Sequence, residues 1–126
     1  MTNDLRRLGT TDLFVSPLAL GCWPIAGMTS LGTTAEQSRA TIAACLDLGI
    51  NFLDTAYCYG AYGESETLIR EALGTRRDRM VVATKGGIDW DSDGKQRKDA
   101  RPATLRRQCE TSLRRLGTDR VELLYL

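Results

Sequence analysis

Three times along this chain a helical stretch stops on a glycine and gives way to a short apolar run, and that recurrence narrows the possible folds more than any other feature. Residues 34–48 bring Ser38, Ile42, Cys45 and Leu46 onto one helical face, stop at Gly49 and pass into the apolar run Ile50 to Leu53. Thr34 and Gln37 stand three apart, the spacing of a capping box. A second helix over 64–73 turns Leu68, Ile69, Ala72 and Leu73 inward, meets Gly74 and precedes a strand from Met80 to Lys85. Pro102 suits the first turn of a third helix with the stripe Leu105, Cys109, Leu113 and Leu116; Gly117 stops it before the strand Val121 to Leu126. Strands that are apolar throughout, rather than alternating, are buried on both faces. In an alternating helix–strand chain this means a parallel sheet covered by helices.

Two architectures satisfy that pattern, an open doubly wound sheet and a closed barrel. The dinucleotide-binding open sheet carries Gly-x-Gly-x-x-Gly after its first strand, and no such string occurs here. In a barrel the C-terminal strand ends share one rim, where activity is expected, and Asp54 and Lys85 both fall at such ends. Ahead of the alternation, Leu5 to Leu8 and Leu13 to Val15 flank Gly9-Thr10-Thr11-Asp12 as a hairpin, and Leu18 to Gly21 reads as the first barrel strand. The expected fold class is therefore α/β, a (β/α)8 TIM barrel of which residues 1–126 supply the first half as one domain: the hairpin, four strands and three helices.

Composition removes several kinds of chemistry. The chain contains no histidine, so the commonest general base and metal ligand is absent, and no metal site is expected. Seventeen Lys and Arg against sixteen Asp and Glu give +1, which offers neither nucleic acid nor a membrane surface an electrostatic footprint. Cys22, Cys45, Cys58 and Cys109 match neither a zinc site nor a redox pair, and Cys45 and Cys109 fall on helix faces as small hydrophobes. No leader-like segment opens the chain and no run of eighteen apolar residues interrupts it, so a reduced, cytoplasmic setting is expected. Asp89-x-Asp91-x-Asp93-Gly94 imitates the opening of a calcium loop. Its twelfth position is Ala100 rather than Glu, however, and Lys95, Arg97, Lys98 and Arg101 add positive charge, so it reads as a polar barrel loop.

Asp54-Thr55-Ala56-Tyr57-Cys58-Tyr59-Gly60 followed by Gly63-Glu64-Ser65-Glu66 resembles the signature of the aldo/keto reductases. Leu8-Gly9-Thr10, Val15-Ser16, Leu20-Gly21-Cys22-Trp23, Ala83-Thr84-Lys85 and Ser112-Leu113-Arg114-Arg115-Leu116-Gly117-Thr118-Asp119 continue the resemblance in order over nearly the whole chain. The resemblance implies an NADPH-dependent oxidoreductase acting on aldehydes, ketones or sugars, with Asp54, Tyr59 and Lys85 catalytic and Gly21, Trp23 and Asp54 on the cofactor side. It also implies a fourth catalytic residue, a histidine just beyond a strand like Leu123 to Leu126, and cofactor-binding loops late in the barrel. The 126 residues are accordingly expected to be an N-terminal piece, inactive alone and prone to self-association through open sheet edges.

Elementary chemistry gives the three residues compatible roles. Carbonyl reduction needs a hydride donor and an acid for the developing alkoxide. A free phenol, with a pKa of about 10, is a reluctant acid at neutral pH. A nearby ammonium favours the phenolate, and an ammonium drawn out of water needs a carboxylate partner. Tyr59 is then the acid, Lys85 the group that tunes it and Asp54 the anchor. Singly, each has a plainer reading: a turn-forming Asp, a loop Tyr with a wet tip, a solvated Lys. Gly21 and Trp23 likewise have the plainer reading of a turn glycine and a rim aromatic. Trp90, in the loop after the third strand, is a candidate to line a substrate pocket. Two other functions compete: a Schiff-base lyase using Lys85, and a non-catalytic cofactor-binding module like the potassium-channel β subunits of the same family.

Overall fold

The computed structural model describes residues 4–30 and 32–126; Met1 to Asn3, within the segment read above as lacking a leader-like stretch, and Leu31 lie outside the described residues. The chain opens with a two-stranded antiparallel hairpin, β1 (Arg6–Arg7) and β2 (Phe14–Val15), turned at Gly9 with φ +58°. Four parallel strands follow in one sheet: β3 (Leu20–Gly21), β4 (Phe52–Asp54), β5 (Val81–Lys85) and β8 (Leu123–Tyr125), side by side in that order. Between them run α1 (Ala35–Asp47), α2 (Glu64–Leu73) and α3 (Pro102–Leu116).

The helices begin and end where local chemistry directs. Thr34 Oγ1 accepts from the Gln37 backbone N–H at 3.2 Å while Gln37 Oε1 accepts from the Thr34 N–H at 2.9 Å, closing the capping box of α1. Pro102 enters α3 at a position where its missing N–H costs nothing, and Gly117 ends it in the left-handed region at φ +64°. Alternation then sorts the strands. Leu53 and Val82 point to the helices and join Ile42, Leu46, Leu68, Ile69, Leu73 and Leu116 in the core. Each such side chain contributes about 1.5–3 kcal/mol by leaving water. Phe52, Asp54, Ala83 and Lys85 occupy the opposite, concave face, where register sets Gly21 beside Asp54, Asp54 beside Ala83, and Lys85 beside Tyr125. The result is a partial β/α barrel with its future interior exposed to one side.

Three features differ from the sequence reading. Gly74, at φ +49°, ends α2 as expected, but the stretch before the next strand, left unassigned by the sequence, forms a 3-10 segment over Gly74–Arg79. The segment expected to be a plain polar loop after β5 forms a second antiparallel hairpin, β6 (Ile88–Trp90) with β7 (Gln96–Lys98). Its turn is built by Asp91, whose carboxylate accepts from the N–H groups of Asp93 at 3.0 Å and Lys95 at 2.9 Å and from Arg97 Nε at 2.7 Å. The backbone bond from Lys95, then Arg97, holds that carboxyl below its usual range. Among the described residues no group of three or more Cys, Asp or Glu is arranged to hold a metal.

The third difference is in α3. Its most buried residues are Gln108, Ser112 and Leu116, whereas Leu105, Cys109 and Leu113 flank that line and are half-buried. Leu105 and Cys109 border a shallow hollow with Leu124 of β8. Most of the predicted stripe thus lies beside the line that turns inward, which ends in the core at Leu116 and carries the polar Gln108 and Ser112.

Candidate active site

Asp54, the last residue of β4, and Lys85, the last of β5, share the concave face, and the segment leaving β4 carries Tyr59 back over them. Parallel-sheet bonding continues past the formal strand ends and fixes that segment. Cys22 N donates to Asp54 O at 2.9 Å, Thr55 N to Ala83 O at 2.9 Å, and Tyr57 N to Lys85 O at 3.0 Å.

An ammonium has three protons to donate, and Lys85 uses all three. Nζ donates to Asp54 Oδ1 at 2.5 Å, to the Thr55 carbonyl at 3.0 Å and to Tyr59 Oη at 3.2 Å. Burial on its own would push this ammonium's pKa down. The bonds to Asp54 and Tyr59, with their charges, outweigh burial and hold it above the ordinary lysine value. Because Tyr59 Oη accepts from Lys85, its own O–H is left to point elsewhere. The Trp23 indole meets the Tyr59 ring edge-on, with centroids 5.1 Å apart and planes at 86°.

Tyr59, Lys85 and Trp23 line a cavity of about 620 Å³ together with Ala56, Cys58, Gly86, Gly87 and Ile88. Lys85 also borders a second hollow on the concave face, with Ala19, Phe52, Asp54 and Tyr125. Asp54, Tyr59 and Lys85 are thus brought to one point, with Trp23 against them. Gly21 lies exposed beside Asp54, and a Cβ built there would meet nothing within 4 Å. Trp90 does not reach the Tyr59 cavity. Its Nε1 donates to Cys58 O at 2.9 Å, and the ring faces a neighbouring hollow with Met28, Ala61 and Tyr62.

Sequence reasoning missed the polar groups behind the site. Glu66 is fully buried and accepts from Thr84 Oγ1 at 2.7 Å and Arg115 Nη1 at 3.3 Å. Ser65 bonds to Cys22 O at 3.1 Å and to Thr55 Oγ1 at 2.8 Å. Gln108 clamps the entry to the β6–β7 hairpin, accepting from Gly87 N at 2.7 Å and donating to Ile88 O at 3.1 Å. One signal was available: Ser65 and Glu66 directly precede the apolar face of α2, so a carboxylate there is turned towards the core.

A carboxylate, an ammonium and a phenol thus meet at the carboxyl ends of the strands of a partial β/α barrel, the rim at which β/α-barrel enzymes carry their active sites. The Aldo/keto reductase family model matches residues 17–126, and the chain belongs to that family. It is 39% identical over 126 residues to the 6-dehydroglucose reductase of Novosphingobium aromaticivorans, covering 94% of this chain and 39% of that protein. It is 34% identical over 128 residues to the NADH-specific methylglyoxal reductase of Escherichia coli, covering 92% and 39% respectively. The holo form of aldo-keto reductase AKR11C1 from Bacillus halodurans superposes with a TM-score of 0.81 at 39% identity, covering 95% of this chain and 38% of that one. The chain therefore spans about two-fifths of the length of each of these proteins.

Proposed function

We propose that this chain supplies the proton-donating part of an NADPH-dependent reductase of aldehydes, ketones or sugars, working in either direction and active in the intact barrel. The observation that carries this reading is the single point at which Lys85 Nζ touches both Asp54 and Tyr59. Lys85 Nζ donates to Tyr59 Oη, so the ammonium stands where negative charge develops as Tyr59 gives its proton to an alkoxide, to be regained from water. Asp54 keeps the ammonium charged as it leaves bulk solvent. Tyr59 is the acid, Lys85 tunes it, and Asp54 anchors Lys85.

The residues present fit a nicotinamide. The open space over Gly21 admits close approach to the backbone, and Trp23 offers an aromatic wall against the Tyr59 ring. Gly21, Trp23 and Asp54 would hold that end of the cofactor. When bound, NADPH supplies the hydride. The residues of this chain orient the carbonyl, narrow the cavity around it and provide the proton.

The lyase alternative needs a neutral lysine. Here the amine is raised in pKa and all its protons are engaged, which favours the reductase. The test mixes the full-length protein with NADPH and a panel of small aldehydes. Aldehyde-dependent loss of reduced cofactor is expected, and borohydride trapping of substrate on Lys85 without such loss would give the lyase instead.

A further inference from the structure

Glu66 and Arg115 take no part in the chemistry just described, yet they form a nearly dry ion pair immediately behind it. Glu66 is fully buried, and the Arg115 side chain retains 18% of its exposure. Arg115 Nη1 donates both to Glu66 Oε2 at 3.3 Å and to the Tyr57 carbonyl at 2.8 Å, and its guanidinium lies 4.5 Å from the centre of the Tyr57 ring. The other Glu66 oxygen takes the hydroxyl of Thr84, the residue before Lys85. Tyr57 in turn donates its N–H to the Lys85 carbonyl. One guanidinium and one carboxylate thereby tie α3 and α2 to the end of β5 and to the loop that bears the phenol.

Two further details indicate that the space is shaped for this guanidinium. Gly63 has φ +79°, and a Cβ there would fall 2.2 Å from the Arg115 guanidinium carbon, so the chain leaves out a side chain where arginine passes. Removing either charge would strand the other in a region with little water, which is costly. A lysine would carry the charge but lacks the planar guanidinium that lies against the Tyr57 ring while Nη1 bonds to Glu66 and the Tyr57 carbonyl.

We propose that Arg115 and Glu66 are positioning residues for catalysis: they hold the Tyr57 to Tyr59 segment against Lys85 and so set the reach of the phenol to the ammonium. The role rests on the reductase reading, because it matters to turnover only if Tyr59 is the acid. Displacement of a reacting group by about 1 Å costs about 100-fold in rate, and the loss expected here is of that order.

The test uses the full-length protein with an aldehyde and NADPH. Arg115→Ala should lower kcat by about 10- to 100-fold with cofactor affinity nearly unchanged, and millimolar guanidinium should restore part of kcat where an alkylammonium does not. Arg115→Lys should remain slow. Glu66→Gln, which keeps the volume and can still accept from Thr84, provides a second reading if Arg115→Ala fails to fold, and should also lower kcat at constant cofactor affinity. A folded Arg115→Ala or Glu66→Gln protein with wild-type kcat would overturn the role. So would a loss that follows thermal stability and cofactor affinity equally and resists guanidinium. A wild-type protein inactive on every aldehyde would instead bring down the reductase reading.

Discussion

At the scale of single residues, Lys85 decides how the site responds to pH. Its pKa is raised on folding, so its contribution to stability is complete below the unfolded value of about 10.4 and is lost as pH rises through the higher folded value. The difference in urea stability between wild type and Lys85→Met should therefore narrow above about pH 10.4 and stay level below it. Cys22 shifts in the same direction, but there the favoured form is the uncharged one. Burial, then the neighbouring Asp54 charge, pushes its thiol up to about 12. Peptide mapping after alkylation at neutral pH should find Cys22 unlabelled in the native protein and labelled on unfolding, with half-buried Cys109 reacting earlier. Asp54 and Lys85 were legible in the sequence because each ends an apolar strand, and Tyr59 because it follows in the same signature. Glu66, Gln108 and Arg115 were not. A charged or amide residue in a helix looks solvent-facing until the topology reveals which backbone groups it must satisfy.

Among elements, the helices were the most legible, since caps and stops are written in a few adjacent residues. Thr34→Ala should cost about 1 kcal/mol in chemical denaturation through the lost bond to Gln37. Gly63→Ala should cost more, about 2 kcal/mol or above, because φ +79° strains any side chain and the new methyl displaces Arg115. It should also slow turnover, as the network above requires. The β6–β7 hairpin escaped detection for a physical reason. Its strands hold only Ile88 and Trp90 as apolar residues and are stabilised by Asp91 within the turn and by Gln108 and Arg107 from α3, so the period-two alternation spans just three residues and finds no match in Gln96–Lys98. The buried line of α3 was misread for a related reason. Gln108 turns inward to bond to the backbone of Gly87 and Ile88, and Ser112 is buried on the same line, while leucines flank them.

For the whole molecule, the parallel sheet and its order follow from repeated helix–strand units, and the open face follows from their number. β3 and β8 are the sheet's edges, and Leu124, Tyr125 and Leu126 on or beside β8 are 47%, 44% and 82% exposed. Expressed alone, the 126-residue chain should sediment as concentration-dependent oligomers and show no aldehyde-dependent cofactor oxidation. The account's central claim is that the phenol of Tyr59, held by Lys85 and Asp54, delivers the proton. Single-turnover oxidation of NADPH by full-length Tyr59→Phe, with an aldehyde that the wild type reduces, tests it most directly. Cofactor affinity should be unchanged and the rate about 100-fold or more lower; reduction at the wild-type rate would contradict the claim.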